Sequence, residues 1–184
     1  KRKCWYKINQ ERVNIMSIEL KKCDVINNIS GNVRLKLIDK KTGEVIEDRE
    51  SHNMVLKVGK AMLVKLIAGT ASYKITMMSI GKGGTADLTN NAFNPIPPVA
   101  SDTGCKNSVK RVNITSKTVD TSATNPKVTF VALFDCSVVN SLVNECALVF
   151  NDNATSLSRY TFSTVDLRSS TGFALQVSWT LEFK

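Results

Sequence analysis

The sequence predicts a mainly β fold: an antiparallel β-sandwich with one main α-helix, a long interaction loop and an N-terminal arm. Three observations carry that prediction. Near the C-terminus Phe173, Leu175, Val177, Trp179, Leu181 and Phe183 alternate with Ala174, Gln176, Ser178, Thr180 and Glu182, the period of a strand with one face on a core. Several other strand-length runs are separated by turn residues at the spacing of a sandwich. Only one stretch changes to a repeat of three to four residues. The 184 residues amount to one domain's length, and 42% hydrophobic content excludes wholesale disorder. No apolar run reaches the roughly 18–20 residues that a membrane helix requires.

Taken in order, residues 1–30 read as a basic arm and lead-in. Lys1, Arg2, Lys3, Lys7 and Arg12 stand against Glu11, so the first 15 residues carry +4 of the chain's formal +9. No apolar run and small-residue cleavage site follows them, which argues against a secretory signal. Trp5 and Tyr6 give the arm anchors as well as charge, so it is expected to dock on a partner. Met16 opens a stretch that would itself make a plausible start, which would leave residues 1–15 as an extension.

Residues 31–184 read as a single domain. Residues 33–37 alternate apolar and basic side chains, Asp39-Lys40-Lys41-Thr42-Gly43 supplies a turn, and residues 44–47 return, which is a hairpin. From about residue 53 to 68, Val55, Val58, Met62 and Leu66 recur at helical spacing, with Gly69 as the stop. Residues 73–80 form a strand ending at Gly81-Lys82-Gly83-Gly84-Thr85. Residues 86–107 are rich in Gly, Asn, Pro and Thr and include Pro95-Ile96-Pro97-Pro98; loops this long are commonly interaction segments, and this one is expected to contact another chain and to be poorly ordered in an isolated monomer. Residues 109–118, 128–135, 142–150, 158–165 and 173–183 complete the strands.

The chemistry-bearing residues point away from catalysis. The five cysteines form no CxxC pair, and their odd number argues against a disulfide scaffold and for a reducing compartment. The single histidine, His52, lies in a charged stretch without a nucleophile-elbow pattern. A zinc site would need more ligands than this pattern offers, so neither metal nor cofactor is expected. The glycine-rich stretch lacks the GxxxxGK[ST] spacing of a phosphate loop. The three Asn-x-Ser/Thr triplets, at Asn28, Asn113 and Asn153, are read as unmodified. Few Trp and Tyr residues disfavour a stacking groove for nucleic acid.

Three segments in order carry a resemblance: residues 53–69, the Ile75-Thr76-Met77-Met78-Ser79-Ile80-Gly81-Lys82-Gly83 strand and loop, and Asn144-Glu145-Cys146-Ala147-Leu148-Val149-Phe150 followed by the final strand. This order resembles the helix, strand, G-x-G loop, E-x-G-L-F and strand of the N-terminal attachment domain of bacteriophage tail-collar and tail-fibre proteins, and of related neck, baseplate and capsid-decoration proteins. It covers roughly residues 50–184. Ala147 stands where the family often has glycine, and no fibre repeats follow Phe183. The resemblance implies a non-enzymatic virion structural protein assembled in the host cytoplasm, a stand-alone subunit of a tail, baseplate or neck/collar. Its partners would be other phage structural proteins and further copies of itself, with no membrane and no nucleic acid. A capsid cement protein clasping the major capsid protein is the first alternative, and a carbohydrate-binding β-sandwich module the second. The expected contact residues are Lys1, Arg2, Lys3, Trp5, Tyr6, Lys7 and Arg12 in the arm, and Lys82, Phe93, Pro95, Ile96, Pro97 and Pro98 in the loop.

Overall fold

Two eleven-residue strands, β1 (Ile29–Asp39) and β12 (Phe173–Phe183), pair antiparallel over their whole length, with Ile29 opposite Phe183 and Asp39 opposite Phe173. They form the centre of a five-stranded sheet completed by β2 (Val45–His52), β9 (Lys127–Asp135) and β8 (Ser116–Asp120), in the order β2-β1-β12-β9-β8. A second sheet runs β3 (Met54–Val55), β11 (Ser156–Asp166), β10 (Leu142–Phe150), β4 (Ile75–Gly81) and β7 (Ser108–Asn113). A short ribbon of β5 (Thr85–Asp87) and β6 (Ala92–Asn94) stands apart. The computed structural model describes residues 29–168 and 172–184; the arm residues Lys1, Arg2, Lys3, Trp5, Tyr6, Lys7 and Arg12 lie outside them.

The core is the inner faces of the two five-stranded sheets. Val33, Leu35, Phe134, Leu175, Val177 and Trp179 from the first meet Met78, Ile80, Cys146, Leu148 and Phe150 from the second, all at 2% exposure or less. Fully burying such side chains is worth about 1.5–3 kcal/mol each, and this is the mainly β, sandwich-like packing that the C-terminal alternation predicts.

Several boundaries differ from those read in the sequence, four of them with consequences for the architecture. Strand β1 begins at Ile29, within the stretch assigned to the lead-in. The helix, α1, spans Lys57–Ile67, not residues 53–68. Asn53 N–H donates to Gly31 O, and Met54–Val55 pair with Ser158 and Arg159, so the chain crosses from one sheet to the other before the helix starts. At the other end Gly69, at φ +65°, donates to Leu66 O and Thr70 to Lys65 O, the paired bonds of a Schellman stop. Residues 109–118 are not one strand but β7 and β8 in opposite sheets. Ile114 N–H bonds Thr76 O and Thr115 N–H bonds Val131 O, so adjacent residues face different sheets. Finally, residues 86–107 contain the β5–β6 ribbon.

Helix α1 has no acidic residue in its first turn, no side-chain cap and a glycine inside, each of which weakens an isolated helix. Packing on β11 holds it instead. Leu56 is fully buried and donates its N–H to Leu157 O, and a Cβ on Gly59 would lie 2.3 Å from that same oxygen. The second helix, α2 (Cys136–Val139), is capped by Asp135. The Ser137 hydroxyl, the Lys40 ammonium and the Ser137 N–H hold that carboxyl's pKa down at about 2.

Two variants test this packing. Trp179→Ala should lower stability by about 3–5 kcal/mol and Tm by roughly 10 °C in thermal unfolding; an unchanged Tm would contradict the assigned register. Gly59→Ala should destabilise by about 1–3 kcal/mol, although alanine is the better helix former, and a gain in Tm would contradict the close approach to Leu157.

Candidate functional site

Strand β10 lies between β11 and β4, and all nine of its residues are buried. Cys146, Leu148 and Phe150 belong to the core, while Glu145, Ala147 and Val149 alternate with them on the outer face of the sheet. A strand buried on both faces reads as a nearly continuous apolar run. Asn144 and Glu145 interrupt that run, and a carboxylate in such a place requires partners.

Glu145 finds them on two sides. Its Oε2 accepts from Arg159 Nε at 2.9 Å and Nη2 at 2.6 Å, and from the Lys106 N–H at 3.0 Å; its Oε1 accepts from the Asn107 N–H at 2.9 Å. Arg159, on the adjacent strand β11, extends Nη1 to Asp102 Oδ2 at 2.7 Å and Nη2 to Ile96 O at 3.1 Å. Asp102 Oδ2 also accepts from the Val99 N–H at 3.0 Å, and its Oδ1 from the Lys106 ammonium. Glu145 and Arg159 are fully buried and Asp102 is 4% exposed. Two acids and two bases leave the cluster formally neutral, and each of the four carboxylate oxygens already has a donor from the chain itself.

Burial works to raise the Asp102 pKa, but the Lys106 ammonium, the Val99 N–H and the Arg159 guanidinium outweigh it and hold the carboxyl below its ordinary value. Burial, with the Glu145 charge second, pushes the Cys105 thiol up to about 12. Cys146 is raised well above its ordinary value, by burial first and then by Cys105 and Glu145. Thiolates are the reactive form, so at neutral pH both side chains are protonated and inert.

The cluster fastens the long segment to the body. Asn144 Oδ1 accepts from the Gly83 N–H at 2.9 Å while its Nδ2 donates to Gly83 O at 2.8 Å, in the manner of a paired strand. Gly84 has φ +111°, and a Cβ there would lie 1.8 Å from Asn94 O, so the glycine-rich stretch is needed for a tight turn beneath the ribbon. Further along, the Phe93 N–H donates to Thr164 Oγ1 at 2.9 Å, Lys57 N–H to Ala100 O at 2.9 Å and Ser156 N–H to Thr103 O at 3.0 Å.

Segment 86–107 is thus tied to its own domain at many points, which corrects the expectation of a loosely ordered loop. Of the residues expected to make contacts there, Lys82 places its ammonium 5.8 Å from the centre of the Phe93 ring, and both are half-buried. Pro95, Ile96 and Pro97 are exposed and Pro98 is half-buried, while Ile96 O is held by Arg159. Leu88, in the turn between β5 and β6, is 91% exposed, matched among the described large apolar side chains by Ile67 at 89%, and the sequence reading did not single it out. That turn is itself specified, because Asp87 accepts from the N–H groups of Thr89 and Asn90.

His52 sits exposed at the end of β2. Among the described residues, no group of three or more His, Cys, Asp or Glu side chains is gathered as for a metal ion, and no helix is long and apolar enough to cross a membrane. No family model, no curated protein and no solved structure matches the chain.

Removing the guanidinium should expose how much depends on it. Arg159→Met leaves the buried Glu145 carboxylate without a counter-charge and Asp102 with Lys106 alone, and should cost about 3–5 kcal/mol, with new proteolytic cleavage inside residues 96–107; a variant with native stability and native resistance would contradict the clamp. Acid provides a second check. The depressed Asp102 pKa contributes stability above the unfolded value of about 3.9, and that contribution is lost as pH falls through the folded value. Asp102→Asn should therefore be less stable than the native chain at neutral pH and show a shallower loss of Tm below about pH 4.

Proposed function

We propose that this chain is a non-enzymatic structural subunit of a bacteriophage particle, a component of a tail, baseplate or neck/collar that binds neighbouring subunits and is built into the virion in the host cytoplasm. Support comes first from the segment order over residues 50–184 that resembles phage attachment domains. The observation that carries the reading is the Leu88 projection: a side chain 91% exposed on a specified turn, above a base fastened by the fully buried Glu145–Arg159 ion pair. An apolar anchor already fixed in position loses little conformational freedom on docking, which suits a permanent subunit contact. The cluster itself favours a structural role, since its carboxylate oxygens are all engaged within the chain. In this reading further copies of the chain and other virion proteins are the partners, and the arm residues Lys1, Arg2, Lys3, Trp5, Tyr6, Lys7 and Arg12 add a second, salt-sensitive contact.

Quantitative mass spectrometry of purified phage particles from the source of the gene tests the reading. About 6 or 12 copies per particle are expected for a ring at closed symmetry; hundreds would place the chain on the capsid shell, and its absence from particles would refute the proposal. Leu88→Asp should keep the native Tm yet lower incorporation by roughly 30-fold, the loss of about 2 kcal/mol at one anchoring residue. Normal incorporation of that variant would remove Leu88 from the contact.

A further inference from the structure

The excess positive charge of residues 29–184 sits in one part of the chain. Residues 53–113 hold eight Lys and Arg against two Asp and Glu, whereas the remainder of 29–184 holds ten against eleven. Helix α1 lies in that part and carries Lys57, Lys60 and Lys65 with no acidic residue. All three lysines are exposed, and none forms an ion pair among the described residues. Lys57 opens the helix and Lys60 closes its first turn, where positive charge opposes the helix dipole, and the two repel at i, i+3 spacing. That placement works against the helix's own stability.

The same face is apolar as well as basic. Gly59 and Met62 are buried, and Leu63 and Leu66 pack against the core, so the helical period turns Ala61, Val64 and Ala68 outward in one row. All three are exposed, Val64 by 65%. Lys60 and the exposed Ile67 flank the row on one side and Lys65 on the other, with Lys57 at its N-terminal end. The solvent side of a helix is ordinarily charged and polar. Here a valine stands between two alanines, a shallow apolar row that a second helix can approach closely.

Charge selects what covers this row. Residues 1–28 carry seven Lys and Arg against three Asp and Glu, so the chain's own leading segment has the wrong sign. A second copy has few carboxylates to spare: Asp48, Asp120, Asp135, Asp166 and Glu182 are each paired with a cation of their own chain. Helices that lie in a lipid surface present Trp, Phe and Leu to it, and none of these stands in the row. We infer that the outer face of α1 docks an acidic amphipathic helix of a different protein. The apolar seam of that helix lies on Ala61, Val64 and Ala68, and its flanking carboxylates meet Lys57, Lys60 and Lys65. Flanking charges of this kind set partner choice and orientation between paired helices. The surface lies on a different element from Leu88, and the inference does not rest on membership of a virion.

The experiment uses the purified full chain and three fluorescently labelled synthetic peptides of about three heptads each. The first has leucine and alanine in its seam and glutamate on both flanks. The second has lysine in place of glutamate, and the third has the first peptide's residues in scrambled order. Fluorescence anisotropy should show saturable binding of the first, about tenfold or more tighter than the other two, and weaker by severalfold between about 0.05 and 0.3 M salt. Val64→Glu should weaken that binding about tenfold or more, and Lys60→Glu combined with Lys65→Glu should move the preference to the lysine peptide. Tm should stay native in each, because these side chains are exposed. If Val64→Glu lowers Tm, Ala61→Gln, which obstructs the close approach, decides the question. No saturable binding below about 1 mM, equal binding of the scrambled peptide, or unchanged binding by the folded variants would overturn the inference. Binding to phosphatidylglycerol vesicles in place of the glutamate peptide would overturn it as well, and none of these outcomes bears on copy number in particles.

Discussion

The Arg159 guanidinium is the group on which the arrangement of this protein turns. Strand β10 is buried on both faces, and Ala147 and Val149 beside Glu145 make the outer one largely apolar, so the outer face of its sheet must be covered as its inner face is. The cover is segment 96–107, which carries no regular structure. Irregular backbone laid over a sheet brings N–H groups that have no ladder to join. Glu145 and Asp102 accept the N–H groups of Lys106, Asn107 and Val99, and carboxylates buried for that purpose need a counter-charge. Arg159 provides it to both acids at once, and a planar fork of donors does this where a lysine could not. The cluster is thus a consequence of covering a doubly buried strand with a loop.

The same logic makes the molecule two-sided. One sheet hides its outer face under segment 96–107 and lifts Leu88 into solvent on the ribbon beyond it. The other leaves its outer face open and polar. The covered side offers an apolar projection of the kind subunit contacts use, and the open side presents hydroxyl, amide and charged groups paired largely with one another.

Much of the fold was legible because burial imposes a period. Strand β12 matches its alternation at both ends, β10 matches its apolar run, and the helix stop at Gly69 is where a left-handed residue closes the last turn. The crossing at Ile114 and Thr115 was not legible, because the apolar–polar pattern runs on as far as Ile114 and no Gly or Pro marks the place where the pairing partner changes. The order of residues 86–107 was hidden for another reason. Their composition reports local freedom, whereas their constraint comes from Glu145 and Arg159, some 40 to 60 positions away in sequence. A signal was nonetheless present: Asn144 and Glu145 inside an apolar strand announce buried polar partners, and Arg159 in the next strand is the nearest candidate for one. The exposure of Leu88 had no such mark, because a leucine in a polar stretch reads the same whether it folds inward or projects.

Amide hydrogen exchange by NMR measures directly whether segment 96–107 is an integral part of the body. The Lys106 and Asn107 N–H groups, held by Glu145, should exchange as slowly as the amides of β10 in the native chain, and should become fast in Arg159→Met while the amides of β12 remain protected. Exchange at Lys106 and Asn107 at the rate of an open loop in the native chain would contradict the clamp.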